Sequence, residues 1–332
     1  MDLVLLWVFI LAFAVYAYVV LDGFDLGIGL LAPFVGSSAD RERMIGAIAP
    51  VWDGNETWLV LGGGGLMAAF PLAYAILMPA LYAPLVAMLL ALIFRGVAFE
   101  FRHRDERHRS LWTAGFVFGS YVATFCQGIA LGTILQGVET SGRAYAGGWF
   151  DWLSPFSLAT GAALLAGYAL LGACFLLMKT GGDLQDRMFR YARPLSLLLV
   201  AFVGLVSLWT PLISDFVAGR WFTWPNIALL SPVPLLVLGI AAALLRSLAR
   251  RHEFAPFLLT LALFFLCFLG LGISFFPYIV PISVTVWQAA APASTLVFLL
   301  VGVAILIPII LIYTGYSYWV FRGKVEDQQF YH

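Results

Sequence analysis

Apolar runs of about 20 residues, enough to cross a bilayer as helix, recur near 3–33, 53–70, 74–101, 111–136, 156–178, 194–214, 226–247, 255–276 and 292–319. Inside the hydrocarbon no water satisfies backbone N–H and C=O groups, so each run must close its hydrogen bonds within itself. The pattern therefore predicts an all-α polytopic integral membrane protein with about nine transmembrane helices. The second run is the least regular: it is short, rich in glycine and opens on two acids. Without it the count would be eight. Composition agrees, since 62% of the 332 residues are hydrophobic and 11% charged, whereas a soluble domain carries roughly a quarter charged residues. A formal net charge of zero points to no nucleic-acid or polyanionic partner.

Positive charges set the orientation. The chain has no Lys or Arg before Arg41, so its first apolar run reads as a retained spanning helix and not a cleaved signal. With the N-terminus outside and nine alternating spans, the inner loops hold Arg41 and Arg43; Arg102, Arg104, Arg107 and Arg109; Lys179, Arg187, Arg190 and Arg193; Arg246, Arg250 and Arg251; and Arg322 with Lys324. Only Arg143 and Arg220 fall outside, and Arg95 lies within a span. That bias predicts an outer, periplasmic N-terminus and a cytoplasmic C-terminus. Trp149, Trp152, Trp221 and Trp224 suit an outer interfacial belt, and Pro277 to Pro281 a stiff outer connection. With no internal repeat and no polar linker, 1–332 reads as one membrane domain. The first four helices, 1–136, carry the intramembrane acids, and 137–332 supplies the other five helices.

Those acids are the informative residues. Asp22 and Asp25, spaced i,i+3, share a helix face within the hydrocarbon toward the cytoplasmic side. An unpaired carboxylate there costs about 2.5–3.5 kcal/mol, so the pair needs a partner, water or a proton. Asp53 and Glu56 open the second run at the same inner level. Asp-x-x-Glu at a helix start reads first as a capping box and second as a pair that collects protons; the two are compatible. Arg95 lies about 10 Å above the inner end of the third run. Glu100, five residues on, falls on another face, leaving the acids of the first two runs as Arg95's partners, in a static ion pair or a working one. Trp52 and Asn55, in the same motif, join Arg95 and Glu100 as structural or ion-pair candidates. The remaining acids, down to Glu326 and Asp327, fall in loops or the tail. Thr124 and Gln127, midway along the fourth run, are the obvious polar continuation, and packing against a neighbour explains them as well. Gly62 to Gly65 would let another helix approach closely, the first reading, or let the backbone loosen.

Redox motifs are missing. Cys126, Cys174 and Cys267 sit at scattered positions in apolar runs and suggest neither disulfides nor zinc. His103, His108, His252 and His332 all fall in loops or the tail, so no haem is expected on this chain through histidine, and Met67, Met78 and Met88 read as packing. No metal, Walker or dinucleotide motif occurs. Two classes remain: a proton-conducting scaffold subunit of a larger complex, or a secondary transporter. A transporter should show paired helix breaks and a midplane site; acids confined to one third of the chain favour the subunit.

The segments D-G-F-D-L-G-I-G at 22–29, A-P-V-W-D-G-N-E-T-W-L at 49–59, F-R-G-V-A-F-E-F-R at 94–102 and Y-S-Y-W-V-F-R-G-K-V at 316–325 resemble subunit II of the cytochrome bd-type quinol oxidases, most nearly the cyanide-insensitive branch. The resemblance runs over essentially the whole chain; Val286-Trp287-Gln288 departs from it where many members carry an acid. It implies a ubiquinol-oxidising, oxygen-reducing terminal oxidase of the bacterial inner membrane. Haem b558, haem b595 and haem d, with the quinol site, would belong to subunit I. A small single-helix accessory subunit and a bound lipid or quinone are further implied partners. By matching motif, Asp53, Asp22 and Asp25 would lie at the inner mouth of a proton path.

Overall fold

A computed structural model describes residues 2–325. Glu326, Asp327 and His332 therefore lie outside the described residues, as does the side chain of His103. Fourteen α-helices follow in order: α1 (Leu3–Leu31), α2 (Ser38–Gly46), α3 (Trp52–Ala69), α4 (Pro71–Ala80), α5 (Tyr82–Arg104), α6 (Arg109–Gln136), α7 (Pro155–Lys179), α8 (Gly182–Ile213), α9 (Asp215–Phe222), α10 (Asn226–Leu230), α11 (Pro232–Ala249), α12 (Ala255–Phe275), α13 (Val286–Ala289) and α14 (Ala293–Val320). Two short antiparallel ribbons, Thr140–Ser141 with Ala144–Tyr145 and Tyr278–Val280 with Val284–Thr285, are the only strands among the described residues.

Among the described residues, eight helical segments are long and apolar enough to cross a membrane: α1, α5, α6, α7, α8, the stretch Asn226–Ala249, α12 and α14. Helix α3 falls short because two acids and five glycines dilute its 18 residues. It nevertheless runs antiparallel to α1. Its first turns reach Leu21 and Asp25 through Asn55, Gly65 lies against Leu11, and the Ala69 carbonyl accepts from Ala291 N at the far end. Helix α14 returns over the same height: Trp7 Nε1 donates to Leu296 O at one end, and Tyr318 reaches Asn55 at the other.

Two expected segments come out differently. The run 74–101 is broken, because the backbone turns at Leu81 (φ −107°, ψ 12°) behind Pro79, whose ring cannot continue the ladder. Helix α4 therefore packs separately against the two short ribbons, and α5 carries the rest. The segment 182–193, read as loop, is the first third of α8. It is amphipathic: Leu184, Met188, Phe189 and Ala192 are buried, the spacing of one helix face.

Helix α1 is the hub, packed against α3, α6 and α7. Backbones meet where it crosses α7, and a Cβ on Gly27 would fall 1.9 Å from Tyr168 O. Beside this contact the rings of Phe24 and Phe175 stack at 4.1 Å. Gly62 to Gly65 divide differently. Gly65, where a Cβ would meet Leu11 at 2.5 Å, faces α1, whereas a Cβ on Gly63 or Gly64 would meet nothing within 4 Å beyond their own helix backbone. At the end bearing the ribbons, Trp287 Nε1 donates to Asp2 Oδ2 at 2.8 Å, which holds the Asp2 carboxyl below the usual carboxylate range. Gln288 closes a capping box with Thr285; that is its visible role in place of the acid.

Candidate functional site: a buried ion cluster

Arg95 of α5 is 1% exposed, and its Nη1 donates to Asp22 Oδ1 at 3.2 Å and to Glu56 Oε1 at 2.7 Å. Three helices thus meet on one guanidinium. Helix α6 lets α5 sit this deep, because a Cβ on Gly119 would lie 2.6 Å from Ala91 O and 3.0 Å from Arg95 Cβ. The Phe116 ring covers the guanidinium at 5.9 Å. Asp25, fully buried one turn from Asp22, accepts from Asn55 Nδ2 at 2.7 Å. Asn55 also donates to Leu21 O at 3.4 Å and accepts from Tyr318 OH at 3.0 Å. Asp22 Oδ2, Asp25 Oδ1, Arg95 Nε and Arg95 Nη2 are buried without a protein partner among the described residues.

Between α3 and α14 a cavity of about 10 Å³ touches Asn55, Tyr318 and the buried, unpartnered Thr314 hydroxyl. That is room for about one water. On the other side of the cluster, Tyr18 lies one turn along α1 from Asp22. Its hydroxyl accepts from Gln127 Nε2 at 2.7 Å, and Gln127 Oε1 accepts from Tyr168 OH at 2.9 Å. Tyr18 thereby keeps its own proton to donate. Thr124, one turn before Gln127, is buried with its hydroxyl unpartnered.

The other sequence candidates lie around this centre. Asp53 is exposed on the first turn of α3. It does not cap that helix: the N-cap is Val51, with no side-chain bond. The turns before α3 already engage the backbone, with Trp52 N donating to Ile48 O and Asn55 N to Val51 O. Glu56, beyond the capping position, turns to Arg95 instead. The expected capping box is therefore absent. Trp52 packs its ring on Phe99 at 5.1 Å. Glu100 is exposed and forms no ion pair among the described residues, because five residues turn it away from the Arg95 face.

A second ionic knot went unread in the sequence. Arg102, two turns from Arg95 on α5, clasps Glu42 of α2 through both terminal nitrogens at 2.9 and 2.6 Å, and its Nε donates to Thr113 Oγ1 at 2.9 Å. Arg109 adds a contact to Glu42 at 2.5 Å. The signal was the seven-residue spacing of Arg95 and Arg102, but nothing local pointed to Glu42. The tyrosines were equally silent, apart from Tyr18 preceding Asp22 by four residues and Tyr318 standing in a recognised segment.

Among the described residues no three His, Cys, Asp or Glu gather as a metal site. Among the described residues the histidines stand apart from the buried ion cluster. His108 ends a single 3-10 turn (Glu106–His108) and lies against Asp105 at 2.9 Å; its bond and that of Trp112 hold the Asp105 carboxyl below its usual range. His252 follows α11 beside Ser247. Cys126, Cys174 and Met88 are packed in the apolar core.

Fold and site together define a polytopic helical membrane protein organised around a buried cluster of carboxyl groups on one arginine. The family model described as cytochrome bd terminal oxidase subunit II matches residues 3–321. The cytochrome bd-I ubiquinol oxidase subunit 2 of Escherichia coli (strain K12) is 32% identical over 365 aligned positions, covering 97% of this chain and 95% of that protein. The cytochrome bd ubiquinol oxidase subunit 2 of Bacillus subtilis (strain 168) is 28% identical, covering 98% and 97%. A chain of the bd oxidase from Geobacillus thermodenitrificans shares the fold, with a TM-score of 0.75 at 18% identity over 96% of this chain and 97% of that one. The chain belongs to the family of subunit II of the cytochrome bd terminal oxidases. It is thus one subunit of a haem-containing respiratory oxidoreductase complex, with a subunit I as partner, and the transporter reading is set aside.

Proposed function

We propose that this subunit gathers protons at the cytoplasmic face of the bacterial inner membrane and passes them to its partner, where ubiquinol is oxidised and oxygen reduced to water. In this reading the chain crosses the membrane nine times, with α3 as the second crossing and the N-terminus periplasmic. Subunit I carries haem b558, haem b595 and haem d, which supply the electron transfer and oxygen chemistry. Electrons and protons then meet from opposite sides, and each charge moved against 100 mV stores about 2.3 kcal/mol.

The observation that carries the proposal is the sharing of buried Arg95 by Asp22 and Glu56, with Asp25 one turn away. One guanidinium facing three carboxyl groups leaves negative charge uncompensated in a poorly polarisable interior, and a proton or an ordered water answers that imbalance. The unpartnered oxygens of Asp22 and Asp25 are where such a proton or water would bind. Asp53, exposed less than one turn before Glu56, is the natural collector. The Glu56 side chain stays 26% exposed beside its bond to Arg95; a carboxylate at that depth does not face lipid cheaply, so subunit I is the group that covers it. The bare strip at Gly63 and Gly64, on the same helix, suits a close-packed partner helix.

The test is oxygen consumption by purified complex with Asp25→Asn and Asp53→Asn. Asp25→Asn should slow turnover by about 100-fold, the lower range for a positioned proton-transfer group, and Asp53→Asn by less, both with normal haem spectra. Normal haem content together with normal turnover in both variants would leave these acids a structural role only.

A further inference from the structure

Away from the ion cluster, α8 and α11 frame a cleft of about 350 Å³ lined by Asp186, Phe189, Arg190, Arg193, Leu248 and Arg251. We infer that it holds the phosphate headgroup of an anionic phospholipid.

Depth comes first. Helix α8 has 32 residues, about 48 Å at 1.5 Å per residue, against a hydrocarbon layer of roughly 30 Å. Its apolar part runs from Pro194 to Ile213, so the turns before it project from the bilayer. Arg193 is the last charge before the apolar stretch, at the level where headgroups lie. Arg190 is one turn further out on the same face.

Charge follows. Three arginines line the cleft against one carboxylate, and that carboxylate, Asp186, is engaged by Arg251. Arg190 and Arg193 form no ion pair among the described residues and are left to face the cleft. Guanidinium groups match phosphate oxygens with paired N–H donors and shed water more readily than ammonium groups.

The cleft is also built. Arg251 sits in the left-handed region (φ 58°), unusual for a residue with a Cβ. Its backbone is held there by bonds from Arg251 N to Leu248 O and from His252 N to Ser247 O. Its guanidinium lies 4.9 Å over the buried Phe189 ring. Above the arginines the groove turns apolar: Leu248 is on its floor, and Leu197, one turn beyond Arg193, is 57% exposed. A basic pocket that opens into an apolar groove at the membrane surface fits a lipid with its phosphate outward and its chain along α8.

The experiment is native mass spectrometry of the intact, delipidated oxidase complex titrated with phosphatidylglycerol, using wild type and the Arg190→Gln/Arg193→Gln double variant. Each surface arginine contributes about fivefold to anionic lipid affinity, so the double variant should bind about 25-fold more weakly while its haem content stays normal. The wild type should prefer phosphatidylglycerol to phosphatidylethanolamine, and its binding should fall as salt rises, a measurement that needs no variant. Equal binding by variant and wild type, equal binding of the two lipids, or displacement of phosphatidylglycerol by millimolar inorganic phosphate would each overturn the assignment. The last outcome would make the cleft a free-phosphate site.

Discussion

Replacing Arg95 by leucine isolates the structural worth of the ion cluster. The side chain is 1% exposed and, among the described residues, is the sole cation bonded to Asp22, which is itself fully buried, and to Glu56. Removing one partner of a buried pair costs about 3–5 kcal/mol, because the other charge is left without compensation. Native stability is about 5–15 kcal/mol, and each 1.4 kcal/mol is a factor of ten in an equilibrium. The variant should therefore lower the folded-to-unfolded ratio by more than 100-fold and fail at assembly before it fails at catalysis. The assay is the haem absorbance of isolated membranes, read beside thermal unfolding of whatever complex can be purified. Expected is assembled complex at under a tenth of the wild-type level. The triple variant Arg95→Leu/Asp22→Asn/Glu56→Gln removes the orphaned charges along with the cation, and assembly should partly return even though turnover does not. Arg95→Leu complex purified in full yield, thermally normal and merely slow would refute the reasoning. A triple variant no better than the single one would show that lost shape, and not lost charge, was the cause.

Two further substitutions probe what positions the cluster. Gly27→Ala places a methyl 1.9 Å from Tyr168 O; α1 must then move off α7, and complex yield in membranes should collapse, while Gly63→Ala, with open space around it, should leave this subunit's own stability unchanged. Glu42→Gln leaves Arg102, 2% exposed, without its carboxylate; a loss of about 3 kcal/mol should lower the thermal midpoint of the purified complex, while turnover per haem stays near wild type because the knot lies outside the proposed path.

How much of this was legible depended on whether the signal was local. Apolar length and Lys/Arg placement mark the long helices because both act within one segment. They mislead at 74–101, where Pro79 and the turn at Leu81 divide a run of uniform hydropathy. They mislead again at 182–193, where the apolar face of α8 is too narrow to register in a hydropathy average. The elimination of Glu100 as Arg95's partner followed from helix geometry, and the structure does bring Arg95 to Asp22 and Glu56. The capping box failed for the opposite reason: Asp-x-x-Glu is a local pattern, but a buried guanidinium from α5 outbids a backbone N–H for Glu56 once the helices are packed. Tyr318, 263 residues from Asn55, and Glu42, 60 residues from Arg102, meet their partners only through helix order, which no spacing in the chain encodes. Long-range polar pairs of this kind complete the cluster and the second knot. Depth can be read from one helix, because a carboxylate inside an apolar run announces that it needs something. What answers that need is fixed by the crossing of α1 with its neighbours, and at that crossing the deciding residues are glycines such as Gly27 and Gly119, which leave no polar trace in the sequence.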